Sequence, residues 1–281
     1  MLFDPGEGTQ RQMLFAGVTA TEITHICITH FHGDHCLGVP GVLQRMSLDR
    51  VAHPVEVCYP AEGQEVFGRL RHASLFRDVL HLRERPVDSA GTITATSSFR
   101  LEARALSHSV PTVGYRLVEP DGRRMLPERL AARGVFGPDI GRLQREGRMA
   151  VGDQVVTLDQ VSEPKRGQRF AFIMDTRLCD AAFALADQAD MLVCESTFAD
   201  AEAWLARDYG HLTAGQAGQI AAESGARLLV LTHFSQRYES GAGDRLAREA
   251  ASVFGGDVVL ARDLDRIPVP PRRGGSARKP R

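Results

Sequence analysis

Short aliphatic and β-branched runs recur along most of the chain, at 25–29, 55–59, 101–106, 170–174, 191–195, 228–232 and 258–261, and they predict strands. Between them, 37–46, 65–74, 181–188, 213–223 and 243–254 repeat apolar residues every three or four positions, which predicts helices. Strands and helices in this alternation specify an α/β fold in packed layers. The stretch 119–152 breaks the pattern. It is rich in Gly and Arg, has one helical run at 127–133, carries Gly137-Pro138, and is expected to project as an insertion from a single domain over 1–267. Beyond Ile267 the chain reads Pro-Val-Pro-Pro-Arg-Arg-Gly-Gly-Ser-Ala-Arg-Lys-Pro-Arg. That segment, 268–281, is too polar and too rich in Pro and Gly to pack, and is expected to be a disordered basic tail. No internal repeat is visible.

Composition narrows the class. With 43% hydrophobic and 25% charged residues the chain is an ordinary globular protein, and no apolar run approaches the roughly 18–20 residues of a membrane span. The opening Met1-Leu2-Phe3-Asp4-Pro5-Gly6 lacks the basic and apolar regions of a secretory signal, so no membrane association and a cytoplasmic location are expected. The five cysteines, Cys27, Cys36, Cys58, Cys179 and Cys194, are odd in number and contain no C-x-x-C pair. This argues against a disulfide framework or a thiolate zinc site, and predicts buried small hydrophobes. The net charge of −1 excludes a strongly basic nucleic-acid-binding domain, so any RNA contact must use local patches.

The chemistry starts where the strand at 25–29 runs into His30-Phe31-His32-Gly33-Asp34-His35. Four good metal ligands lie within six residues on a loop at the carboxyl end of a strand, where side chains can converge on one point. Imidazole and carboxylate without thiolate suit zinc, and also manganese or iron. Further ligands stand at equivalent places: His108 after the strand at 101–106, Asp175 after 170–174, and His233 after 228–232. These seven ligands imply two metals with one shared carboxylate.

The first motif resembles that of the metallo-β-lactamase superfamily, and further blocks resemble the ribonuclease Z family within it. They are Phe3-Asp4-Pro5-Gly6-Glu7-Gly8-Thr9-Gln10-Arg11-Gln12, Ser107-His108 with Gly114-Tyr115-Arg116, Gly134-Val135-Phe136-Gly137-Pro138, Met174-Asp175-Thr176-Arg177, Cys194-Glu195-Ser196-Thr197-Phe198, Gly210-His211-Leu212-Thr213-Ala214 and Thr232-His233-Phe234-Ser235-Gln236-Arg237-Tyr238. The resemblance implies an αββα sandwich with an arm insertion. It also implies two zinc ions per subunit, manganese being the alternative: His30, His32 and His108 on one, Asp34, His35 and His233 on the other, and Asp175 between them. Asp34 is implied as general base and His211, oriented by Glu195, as proton donor to the leaving 3′ oxygen. Read alone, His211 fits equally well as a helix-capping residue beside Thr213.

The activity implied is removal of the 3′ trailer from precursor tRNA, leaving a tRNA 3′-OH and a 5′-phosphate on the trailer, by a homodimer whose arm holds the tRNA cut by the partner subunit. Arg123, Arg124, Arg129, Arg133, Arg142, Arg145 and Arg148 form a candidate phosphate-contacting surface on the arm, the alternative being a solvated face balanced by Asp121, Glu128, Asp139 and Glu146. The family carries some 30 or more residues ahead of the Phe-Asp-x-Gly-Glu-Gly segment. Here Phe3 stands near the start, so either the true start lies further upstream or the first strands are truncated, and the chain as given is expected to be less stable and more aggregation-prone than one extended at its N-terminus. Two other functional readings stay open: a hydrolase of small esters, thioesters or phosphodiesters on the same metal site, and a non-enzymatic remnant. The arm argues against the first, and any metal-dependent turnover would exclude the second.

Overall fold

The structure, a computed structural model, describes residues 1–238 and 243–272. The chain divides into two compact units, one formed by Met1–Val118 with Arg169–Pro270 and the other built around Glu119–Gln168.

The first unit holds two sheets. One has four parallel strands in the order Leu2–Phe3, His25–Cys27, Val55–Pro60, Leu82–Val87. The other has seven, in the order Asp257–Leu260, Leu228–Thr232, Met191–Glu195, Arg169–Ile173, Val113–Val118, Arg100–Ala105, Gly91–Ala95. Its first four strands are mutually parallel and the remaining three join antiparallel. Every predicted strand is present. Those not foreseen have a physical reason: Leu82–Val87 is an exposed, charged edge strand with Pro86 inside it, and Val113–Val118 carries Gly114 and the buried Arg116 in the middle of a sheet. Arg116 is tolerated there because its Nη1 donates to the Leu185 carbonyl at 2.5 Å and Glu102 and Asp187 each lie 3.7 Å from it.

Side-chain alternation along the strands separates three apolar layers. Ile26, Ile28, Val57 and Tyr59 face the helices Thr9–Ala16, Val39–Leu48 and Gln64–Arg71. Cys27 and Cys58 point the other way and meet Leu101, Ala103, Val113 and Tyr115 of the second sheet. Beyond it, Ala171, Ile173, Leu192, Cys194, Leu229 and Leu231 pack on the helices Asp180–Ala186, Ala214–Glu223 and Gly243–Val253. Helix, sheet, sheet, helix is the expected αββα sandwich. Two hydrogen bonds tie the sheets at the end where the metal loop begins: Tyr115 Oη donates to the Ile28 carbonyl at 2.7 Å and Val113 N to the Thr29 carbonyl at 2.9 Å. All five cysteines are free, four of them buried. No helix among the described residues is long and apolar enough to cross a membrane.

The second unit is built around Glu119–Gln168. Pairing of Gly122–Met125 with Ser162–Lys165 closes it, because the outgoing strand is completed only by the returning one. Helices Pro127–Ala132 and Pro138–Glu146 and the hairpin Arg148–Val151/Gln154–Thr157 enclose a small core of Leu130, Val135, Leu143, Met149, Val156 and Val161. Glu119 N donates to the Gln168 carbonyl at 2.9 Å, so the two ends of the unit lie side by side. Of the segment expected to be a disordered tail, Arg272 is anchored in this unit by an ion pair with Glu119, and 273–281 lie outside the described residues.

Candidate metal centre

All seven expected ligands meet at the carboxyl end of the two sheets. His30, His32, His108 and Asp175 form one group of ligand atoms lying within 4.8 Å of one another, and Asp34, His35 and His233 form a second. Asp175 faces both: its Oδ2 lies 3.3 Å from His30 Nε2 and 3.7 Å from His108 Nε2, while its Oδ1 lies 3.4 Å from His35 Nε2 and 3.2 Å from His233 Nε2. Oδ1 is buried and takes no hydrogen bond. Imidazole nitrogens also approach one another, His35 Nε2 and His233 Nε2 at 3.0 Å and His30 Nε2 and His32 Nδ1 at 3.1 Å. Imidazole nitrogens that converge around an unsatisfied buried carboxylate oxygen are a poor arrangement for packing and a good one for divalent cations. The residues present therefore fit a metal pair.

Local backbone strain helps to aim the ligands. Asp175 (φ 29°) and His233 (φ 58°) both adopt left-handed conformations immediately beyond their strands, as does Asp4 (φ 41°) beside the loop. The loop also depends on Gly6, where a Cβ would stand 1.9 Å from the Asp34 carbonyl oxygen. Gly6→Ala must move the backbone that carries Asp34, so this variant is expected to lose measurable zinc binding, as determined by metal analysis after gel filtration, with helix content unchanged. Retention of full zinc content would show that the loop can relax.

The electrostatics are those of charged carboxylates among imidazoles. Burial works against charge on Asp175, but the neighbouring imidazoles of His30 and His35 hold its carboxyl far below the ordinary range. His233 and then His35 do the same for Asp34, whose side chain is 66% exposed and is the open member of the set. Burial pushes His32 and His108 down, towards the neutral, ligating form. Burial also opposes charge on His35, but Asp175, Asp34 and Asp4 outweigh it and push its pKa up to about 12. Below that pH the cation-free site holds a proton that a metal must displace. Binding of a divalent cation is therefore expected to release protons and to tighten as pH rises. Calorimetry in buffers of different ionisation enthalpy checks this, and uptake of protons, or none exchanged, would contradict it.

His211 is not a capping residue. Thr213 caps the helix Ala214–Glu223, its Oγ1 accepting from Gln216 N at 3.2 Å, while the His211 ring turns inward with Nδ1 3.1 Å from Glu195 Oε1 and 4.0 Å from Asp175 Oδ2. Glu195 is fully buried. The structure thus brings together all nine residues singled out in the sequence, and adds four groups that were not: Asp4, Thr29, Thr197 and the Gly210 carbonyl, each bonded to the outer nitrogen of a ligand histidine. Asp4 stands in the first of the family-like segments, but nothing in the sequence assigns it to His35, 31 residues away. In the second unit, Arg124 and Arg129 pair with Glu163, Arg123 with Asp159 and Arg142 with Glu146, whereas Arg133, Arg145 and Arg148 form no ion pair among the described residues.

The chain matches the family described as Metallo-beta-lactamase superfamily over residues 1–127 and the Beta-lactamase superfamily domain over 158–234. It is 60% identical to Ribonuclease Z of Nocardia farcinica, across 97% of this chain and 89% of that protein. It is 57% identical to Ribonuclease Z of Streptomyces coelicolor, across the same shares. Among solved structures it resembles the short form of human tRNase Z, with a TM-score of 0.66 and 26% identity over 95% of this chain and 87% of that one. The metallo-beta-lactamase fold protein YhfI of Bacillus subtilis shares the fold, with a TM-score of 0.64 and 20% identity over 92% and 83%.

Proposed function

This chain belongs to the ribonuclease Z family, and from that membership we propose that its centre binds two zinc ions and removes the 3′ trailer of precursor tRNA, leaving a tRNA 3′-OH and a 5′-phosphate on the trailer. The observation that carries the reading is the division of the Asp175 carboxylate between two histidine groups, which suits a bridging ligand in a paired site. His30, His32 and His108 would hold one ion and Asp34, His35 and His233 the other, with manganese as the alternative metal for the same donors. When bound, the pair supplies Lewis acidity to the attacking water and to the charge that builds on the phosphate.

The rest is the work of side chains. Asp34, open to solvent and held ionised by His233 and His35, accepts the proton of the attacking water. His211, fixed by Glu195 through Nδ1, turns its other nitrogen to the leaving 3′ oxygen and donates the proton that oxygen needs. Arg133, Arg145 and Arg148, free of carboxylate partners among the described residues, offer phosphate contacts on the second unit. A homodimer is the proposed assembly, supported by Leu14, Phe15 and Val18, which are 59%, 64% and 42% exposed in and just after the helix Thr9–Ala16.

The test is cleavage of a 3′-extended precursor tRNA by the purified chain with zinc or manganese, and with chelator. A metal-dependent cut just after the discriminator nucleotide is expected. Metal-dependent hydrolysis of small esters with no cut in precursor tRNA would overturn the substrate reading.

A further inference from the structure

Two carboxylates outside the ligand set are buried behind it, and each binds a threonine hydroxyl and a histidine. Asp4 accepts from Thr29 N at 2.6 Å and from Thr29 Oγ1 at 2.7 Å, and its Oδ2 lies 2.8 Å from His35 Nδ1. Glu195 accepts from Thr197 N at 3.2 Å, from Thr197 Oγ1 at 2.6 Å and from Thr176 N at 2.9 Å, and its Oε1 lies 3.1 Å from His211 Nδ1. The hydroxyls then reach two further histidines: Thr29 Oγ1 is 3.0 Å from His30 Nδ1 and Thr197 Oγ1 is 2.9 Å from His233 Nδ1.

A threonine hydroxyl has one proton and a carboxylate accepts only. At 2.6–2.7 Å that proton lies between hydroxyl and carboxylate. What the hydroxyl offers the imidazole is therefore a lone pair, and the contact is a hydrogen bond only when the ring carries its proton on Nδ1. We infer that Asp4–Thr29 and Glu195–Thr197 are two matching relays that fix the tautomers of His30 and His233, so that each presents Nε2 to the metal before any metal arrives. Thr29 and Thr197 act as positioning residues. His35 Nδ1, against Asp4, and His108 Nδ1, 2.7 Å from the Gly210 carbonyl, are fixed the same way by acceptors that need no intermediary. His32 is the exception, turning Nδ1 inward to within 3.1 Å of His30 Nε2.

The arrangement gives Glu195 a duty beyond His211. Through Thr197 it orients a ligand of the second group, and through Thr176 N it pins the residue that follows the strained Asp175. The two hydroxyls serve different groups of ligands, Thr29 the one containing His30 and Thr197 the one containing His233, while Asp4, behind Thr29, also holds His35 of the second group.

The inference rests on the two-metal reading but not on the substrate, so it is tested without RNA. The full chain, labelled with 15N at histidine and stripped of metal, is examined by long-range 1H–15N correlation, and zinc affinity is measured separately by competition with a chromophoric chelator. In the wild type, His30 and His233 are expected to carry their protons on Nδ1. Thr29→Val and Thr197→Val, close in volume to the residue they replace, are each expected to weaken one of two zinc-binding classes by about 10- to 100-fold and the other by less. Thr197→Ser, which keeps the hydroxyl, should restore the lost class. A metal-free wild-type His30 or His233 with no proton on Nδ1, or valine variants with both classes intact, would overturn the relays. If the valine variants fail to fold, the wild-type spectrum decides alone. Preset tautomers in a chain that cuts no precursor tRNA would uphold the relays and sink the substrate reading.

Discussion

Asp34→Ala is expected to reduce precursor-tRNA turnover by roughly 10²- to 10⁴-fold, the usual loss when a positioned acid or base is removed, with RNA affinity nearly unchanged. Its carboxylate is exposed while its partners His35 and His233 are not, and Oδ2 stands 3.3 Å from His233 Nε2 and 3.4 Å from His35 Nε2. Its removal takes away the one acidic group of the ligand set that faces both solvent and the second group of ligands. Because Asp34 also belongs to that group, a drop in zinc content would produce the same loss for a different reason. Asp34→Asn separates the two: it keeps the shape and one oxygen donor but cannot take up a proton in the required range. Full zinc occupancy with turnover as low as in Asp34→Ala identifies the base. Turnover that recovers when zinc is supplied in excess would reduce Asp34 to a ligand. A fall in RNA affinity in proportion to turnover would count against both roles.

The second large effect concerns recognition. Excision of the unit that begins at Glu119 and ends at Gln168 is expected to lower kcat/KM on precursor tRNA by on the order of 10²-fold, the scale of removing several phosphate-binding arginines at once. Hydrolysis of bis-p-nitrophenyl phosphate should stay within a factor of about two, since differential binding of a remote part of the substrate does not act on a substrate that lacks it. The excision is structurally mild. Val118 and Arg169 are paired neighbours on adjacent antiparallel strands, so a short turn can join them, and the small core of the excised unit is its own. Reversal of Arg133, Arg145 and Arg148 to Glu should reproduce much of the loss and flatten its salt dependence. Equal loss on both substrates would mean that the unit supports the metal centre rather than the RNA.

The same separation between what is local and what is assembled runs through the reading of the fold. The strand at 191–195 and the helix that follows Thr213 were legible because burial on a sheet or helix face imposes a repeat of two or of three to four residues on the chain itself. Leu82–Val87 and Gly91–Ala95 were not, because edge strands have no apolar face to advertise. Ser162–Lys165 was not legible for a related reason: it contains Glu, Pro and Lys, and only its pairing with Gly122–Met125 makes it a strand.

The ligands show where the boundary falls. The types and approximate places of the donors are legible along the chain, since imidazoles and carboxylates at the ends of strands need no partner to be recognised, and a tight His-rich turn is dense enough to stand out. Packing of the two sheets sets how they divide into two groups, that Asp175 turns one oxygen to each, that His211 faces Glu195 while Thr213 does the capping, and that Thr29 and Thr197 stand behind His30 and His233. A hydroxyl or a carboxylate has no fixed role in a sequence. Its role is set by which protons reach it across the fold, and those distances exist only once the two sheets have packed.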